Sequence, residues 1–237
     1  MSKLQIILRL KILGLIFLLS FCFNACLFER DFQYPTLLFM GNSITLSDTN
    51  SSLGWNHTSG MAASNLENDY VHRTLQILKE NGHEMQGVLG FRDCEIGVCD
   101  GPIEEHINNI DQLNREKPKF VVVQLGENSS ELEAMSGKLR HQYHELLNLI
   151  TQNEVKKIFC ISPWGDTSLT ISRSKEIVLA MAGFSNVELI NITDLVRDSS
   201  NYGDPSLYRN AAVRWHPGDL GMNRIAQRLS AAILKEP

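Results

Sequence analysis

Three short blocks of the 237-residue chain hold side chains that nucleophilic chemistry needs. Phe39-Met40-Gly41-Asn42-Ser43-Ile44-Thr45 carries a serine, Leu125-Gly126-Glu127-Asn128-Ser129 an asparagine, and Trp215-His216-Pro217-Gly218-Asp219 a histidine. A serine hydroxyl is a poor nucleophile until a general base takes its proton, and an imidazole titrating near neutrality is the usual base. Ser43 is therefore the candidate nucleophile and His216 the candidate base. Taken one at a time, Ser43 reads as a turn or helix-cap serine after a glycine, and His216 as an ordinary loop histidine. What separates the readings is where the rest of the chain puts the blocks.

Short apolar runs recur along the chain at Thr36 to Met40, Met85 to Phe91, Phe120 to Leu125, Ile158 to Ile161 and Val187 to Ile192. Their length and Val/Ile/Phe content predict strands buried on both faces. Amphipathic patterns lie between them: Val71, Leu75 and Leu78 before Gly82; Ile103, Ile107 and Ile110 before Pro118; and Leu132 through Ile150. A weaker helix covers Ser174 to Ala182, and a last one runs from Asp219 to Leu234. Strands alternating with helices predict an α/β fold, a three-layer α/β/α sandwich with a five-stranded, mainly parallel sheet, because parallel strands need helical crossovers. Ligands bind such folds at the carboxyl ends of the strands. The serine block follows the first strand, the asparagine block the third, and the histidine block precedes the last helix.

In this order the blocks resemble those of the SGNH, or GDSL-type, hydrolase superfamily, whose fold is flavodoxin-like. Gly41-Asn42-Ser43 matches the Gly-Asp/Asn-Ser block. Gly126-Glu127-Asn128 matches Gly-x-Asn-Asp, with Ser129 in place of the final Asp, and His216-Pro217 matches Asp-x-x-His-Pro, with Val213 where the Asp belongs. The resemblance spans residues 36–237 and implies attack by Ser43 on a carboxylic ester, with His216 as base. It also implies an oxyanion site built from the Ser43 backbone N–H, the Asn128 side-chain amide and a glycine N–H after the second strand, for which Gly90 is chosen over Gly87 and Gly97. In a triad the acid orients the histidine and does not take the proton, so another acceptor can stand in for it. The expectation is a Ser43/His216 dyad, its second imidazole nitrogen held by a backbone carbonyl or by an acid such as Asp204, with Asp194 and Asp219 the other acids to test. Asp219 is expected to cap the last helix.

The segment Ile44 to Asp69 is long for a loop inside a domain, and such segments are usually binding loops or lids. Trp55 is the substrate-binding candidate within it, able to stack on a sugar ring or simply to anchor the loop. Trp164 and Trp215 fall at the same sheet edge and suggest an aromatic rim. His141 and His144 are expected to be solvated or packed, and His57 lies soon after Ser43.

The first 25 residues contain no acid, and Lys3, Arg9 and Lys11 lead into the apolar run Ile12 to Phe23. That run is too short to span a bilayer, which takes about 20 residues, and fits a signal peptide. Phe23-Asn24-Ala25-Cys26 resembles a bacterial lipoprotein signal, with Cys26 as the lipidated first residue of the mature chain. Residues 1–25 are then the signal, 26–35 a tether and 36–237 the catalytic domain. The expected location is the cell envelope, anchored to the membrane through the lipid on Cys26; a secreted or periplasmic protein is the alternative. Export removes three of the 22 cations and none of the 27 anions, taking the net charge from −5 to −8. A chain this acidic lacks the basic stripe that nucleic acid requires. Cys94 and Cys99 are spaced for a small loop disulfide in an oxidising compartment, and Cys160 reads as a buried thiol. No CxxC or HExxH is present, so neither a metal nor another cofactor is expected. The functional expectation is a serine esterase, acting on acetyl groups of carbohydrate, with an acyltransferase or a catalytically degenerate carbohydrate-binding lipoprotein as the alternatives.

Overall fold

A computed structural model describes residues 34–90, 113, 115–165 and 167–237. Within these, five strands form one sheet: β1 (Thr36–Gly41), β2 (Gln86–Gly90), β3 (Phe120–Gln124), β4 (Lys157–Ile161) and β5 (Val187–Ile190). All pairings are parallel, in the order β2-β1-β3-β4-β5. The helices are α1 (Tyr70–Glu80), α2 (Glu131–Ser136), α3 (Lys138–Thr151), α4 (Thr167–Ala180), α5 (Ala211–Arg214) and α6 (Asp219–Ile233). This is the expected α/β sandwich. The signal, Cys26, Cys94, Cys99 and the helical pattern at Ile103 to Ile110 lie outside the described residues, as does the tether except for Tyr34 and Pro35. No helix among the described residues is long and apolar enough to cross a membrane.

Alternation along the strands divides the core in two. Leu37, Phe39, Phe120, Val122, Phe159 and Ile161 face one side, where Val71 and Leu78 of α1 and Met222, Ile225 and Leu229 of α6 cover them. Leu38, Met40, Val121, Val123, Ile158 and Cys160 face the other, against Leu139, Tyr143, Leu147 and Ile150 of α3 and Ile177 of α4. With both faces covered, the strands read as unbroken apolar runs, each buried large side chain contributing about 1.5–3 kcal/mol. Cys160 is a free buried thiol, pushed up to about 12 by burial.

Two expectations about elements are revised. The pattern from Leu132 to Ile150 forms two helices, because Gly137 takes a left-handed conformation (φ 76°) that ends α2 and starts α3. Ser130 and Glu133 close a capping box at the start of α2. The weaker helix begins seven residues earlier than Ser174, at Thr167.

The register sets the edge on which the candidate residues fall. Gly41 pairs with Gln124, Gln124 with Ile161, and Ile161 with Ile190, so the loops after β1, β3, β4 and β5 leave the sheet on one level. Gly90, at the end of β2, pairs with Met40, one residue short of that level.

Candidate active site

The turn after β1 carries Ser43. Gly41 ends the strand where a Cβ would sit 1.9 Å from Thr45 Oγ1 and 2.8 Å from the Gln124 carbonyl, so only glycine lets the chain fold back this tightly. The Asn42 carbonyl then accepts from the Thr45 and Leu46 amides at 2.8 and 2.9 Å. Ser43 is left half-buried at the tip, and its own N–H meets no acceptor among the described residues.

The histidine arrives from the other end of the chain. Ser43 Oγ lies 2.8 Å from His216 Nε2, and His216 Nδ1 lies 2.8 Å from the Ala212 carbonyl. A carbonyl oxygen only accepts, so Nδ1 carries the proton and Nε2 presents its lone pair to the Ser43 hydroxyl. The local fold explains the spare carbonyl. Asn210 caps the single-turn helix α5 by accepting from the Ala212 amide, and at its far end the His216 amide bonds the Val213 carbonyl instead of continuing to Ala212. Ala212 O is thus an orphan of the helix end, and the imidazole four residues on satisfies it.

No carboxylate takes that place. Asp194 binds Arg228 in a two-point pair, Asp204 accepts from the Ser206 amide, and Asp219 is engaged with Ser64 and Asn68. Of the orienting groups expected from the sequence, the structure has the backbone carbonyl. Val213, where the motif that the sequence resembles has an acid, is fully buried among Trp55, Met61, Ala62 and Tyr208. Burial drives the His216 imidazole down to about 4, against the opposing effect of its bonds to the Ala212 and Val213 backbone. The imidazole is neutral across the ordinary pH range.

Asn128 sits in the loop after β3, whose last residue, Gln124, pairs with Gly41; it is exposed and has no side-chain partner among the described residues. Beside it, Glu127 is almost fully buried. Gln124 Nε2 donates to Glu127 Oε2 at 3.0 Å, and burial pushes this carboxyl up to about 7, a rise that its own backbone amide, the nearby amides of Asn42 and Gln124 and the charge of Arg173 only partly offset.

Trp55 is corrected. Its ring has no exposed surface; it packs edge-on to His57 at 5.0 Å and against Tyr208 at 5.7 Å, and so offers no face to a sugar. The segment from Ile44 to Asp69 has its own small core of Trp55, Met61, Ala62, Tyr208 and Val213. Trp164 is equally buried, donating from Nε1 to the Trp215 carbonyl at 2.7 Å, and it anchors the histidine loop. Trp215 alone of the three tryptophans is partly open; its ring stands at 87° to that of His216, 5.1 Å away. Beside it lies a shallow groove of about 350 Å³ lined by Tyr202, Gly203, Pro205, Ala211, Arg214 and Trp215. Asp219 is also corrected. Gly218 is the N-cap of α6, and the Asp219 carboxylate reaches across to the Ser64 amide and hydroxyl (both 2.7 Å) and to Asn68 Nδ2 (3.0 Å), tying the long segment to the histidine loop. His57 and His141 are exposed, and His144 bonds the Ala180 carbonyl.

Sequence reasoning missed Ala212, because a main-chain acceptor has no residue type. It also passed over Gln124 and Glu127, although a polar pair at the end of an apolar strand was there to be read.

No protein-family model and no curated protein matches the chain. Solved structures do match it. The family 3 carbohydrate esterase of Clostridium thermocellum aligns over 85% of this chain and 98% of its own, with a TM-score of 0.58 at 15% identity. The esterase EstA from Pseudoalteromonas sp. aligns over 84% and 97%, with a TM-score of 0.57 at 13% identity. A Slackia heliotrinireducens protein of SGNH-hydrolase type aligns over 84% and 99%, at 0.53 and 14%. At such identities the likeness is one of architecture, and together with the strand order it gives this chain the α/β fold of the SGNH-type esterases.

Proposed function

We propose that the protein is a serine esterase that works through a Ser43/His216 dyad. The observation that carries this reading is the 2.8 Å contact between Ser43 Oγ and His216 Nε2, with the tautomer set by the Ala212 carbonyl. As Ser43 Oγ attacks the ester carbonyl, His216 Nε2 takes the hydroxyl proton, and the imidazolium keeps its Nδ1–H on Ala212. The tetrahedral oxyanion is held by donors such as the Ser43 N–H and the Asn128 amide, both without a partner among the described residues, each donor being worth about 3 kcal/mol. Gly90, one residue short of the sheet edge, is the third. Collapse expels the alkoxide, which takes the proton from Nε2, and leaves acyl-Ser43. A water then gives its proton to the same nitrogen, attacks the acyl carbon, and releases the acid and free Ser43.

For the substrate we propose short acyl groups, acetyl foremost, on carbohydrate. The groove beside His216 supports this, since the partly open Trp215 and Tyr202 form a shallow apolar ledge of the kind that seats a sugar ring. Carbohydrate esterases among the structures of similar fold point the same way. Exported and carried on a lipid at Cys26, the enzyme would meet its substrate at the cell envelope.

The test is turnover of short-chain aryl esters and acetylated sugars by the exported form beginning at Cys26. Wild type is expected to hydrolyse them and to be labelled by an organophosphonate, while Ser43→Ala does neither. Equal turnover in the two proteins, or none in wild type, refutes the esterase reading; product appearing on a sugar acceptor instead of water would make it a transferase.

A further inference from the structure

Behind the nucleophile turn lies a buried polar chain with no part in the dyad. Tyr70 OH meets Thr45 Oγ1 at 2.8 Å, Thr45 Oγ1 donates to Gln124 Oε1 at 3.5 Å, and Gln124 Nε2 donates to Glu127 Oε2 at 3.0 Å. With Thr45 donating onward, the Tyr70 hydroxyl is its donor, so every step runs toward the Glu127 carboxyl. The far end is incomplete. Glu127 Oε1 and both amide atoms of Asn42 are buried without closing a hydrogen bond, although the Asn42 amide lies near enough to the carboxyl to favour its charged form. Asn42 immediately precedes Ser43, and Glu127 immediately precedes Asn128. One buried carboxyl therefore adjoins the chain neighbours of both oxyanion donors.

We infer that Glu127 is a positioning residue for the proposed reaction: it locks the turn bearing Ser43 to the loop bearing Asn128, and it must be neutral for full activity. The inference rests on the esterase reading. An ionised carboxylate beside Asn42, the residue before Ser43, and one residue before Asn128 opposes the negative charge that builds on the oxyanion; the neutral acid does not. The neutral acid also brings an O–H into a pocket where Asn42 Oδ1 is buried without a donor.

The surrounding groups leave Glu127 as the one that changes charge near neutrality. Arg173 of α4 is permanently cationic and donates to the Ser129 carbonyl. Tyr70 of α1, Tyr143 of α3 and Cys160 of β4 are each held neutral by burial far above the assay range. Burial places its own titration at about 7.

The experiment is the pH dependence of kcat and of KM for an aryl acetate, from pH 5 to 9, with full-length wild type, Ser43→Ala, Glu127→Gln and Glu127→Asp in detergent. Wild-type kcat should fall on the order of tenfold as pH rises through neutrality, with KM little changed. Glu127→Gln, neutral at every pH, should lose that fall and keep its activity to pH 9, whereas Glu127→Asp should retain it with a displaced midpoint. A wild type without the fall, or a Glu127→Gln enzyme that keeps it, overturns the inference and leaves the esterase reading standing. If Glu127→Gln does not fold, a Glu127→Asp midpoint identical to wild type overturns it instead. Turnover that Ser43→Ala does not abolish overturns the esterase reading, and this inference with it.

Discussion

His216 combines a low proton affinity with a main-chain partner, and the two belong together. A carboxylate beside Nδ1 would raise the proton affinity of the imidazole; a carbonyl supplies direction with only a partial charge, so burial prevails and the ring sits at about 4. In the proposed reaction the base is thus free to act well below the range of an exposed histidine. The acid limb of kcat/KM is expected near pH 4 rather than near 6.5, as measured with an uncharged ester over pH 3 to 7. Stability carries the opposite cost. The unfolded histidine takes up a proton between about 6.5 and 4 while the folded one does not, so this residue lowers stability as pH falls through that window. That Ser43 and His216 would meet was legible from their types and order in the chain. The orienting group was legible only as an alternative, since nothing in the letter of residue 212 marks its carbonyl as spare.

Among the elements, the one-turn helix α5 decides what the site lacks. It turns Val213 inward, where that side chain joins Trp55, Met61, Ala62 and Tyr208, while the imidazole closes on Ala212. Restoring the acid that the family motif places there should therefore build no triad. Val213→Asp would bury an unpaired carboxylate in an apolar cluster, and we expect a loss of about 3 kcal/mol or more in urea unfolding, with esterase turnover reduced and not enhanced. A rise in kcat would show that the side chain can swing to the imidazole. The strands were legible because burial on both faces writes them as apolar runs. The long segment before α1 misled, because its many Ser, Asn and Asp residues conceal a small core completed by Tyr208 and Val213, about 150 residues further along.

For the whole molecule, the sheet gathers onto one edge loops that start at Gly41, Gln124, Ile161 and Ile190, while the net charge of −8 expected after export gives no reason for adsorption to anionic lipid. If the chain is a lipoprotein, attachment belongs to Cys26 alone. Expressed in a bacterium that processes lipoproteins, Cys26→Ser should move the protein from the membrane pellet to the soluble fraction without changing turnover per molecule. Retention of the variant in the pellet would instead point to an uncleaved apolar anchor.

The hydrogen bond from His216 to the Ala212 carbonyl also bears on how such a site can change over generations. A side-chain acid can be lost in a single substitution, but a carbonyl oxygen survives every replacement that preserves the turn of α5, so residue 212 is free to drift while its function stays fixed. A survey of sequences that demands an acid three residues before the histidine would pass over chains of this kind and count them as dead. Heritable loss of the His216 orientation should come from changes that straighten or break that one helical turn, such as Val213→Pro or loss of the Asn210 cap, rather than from loss of an acidic side chain.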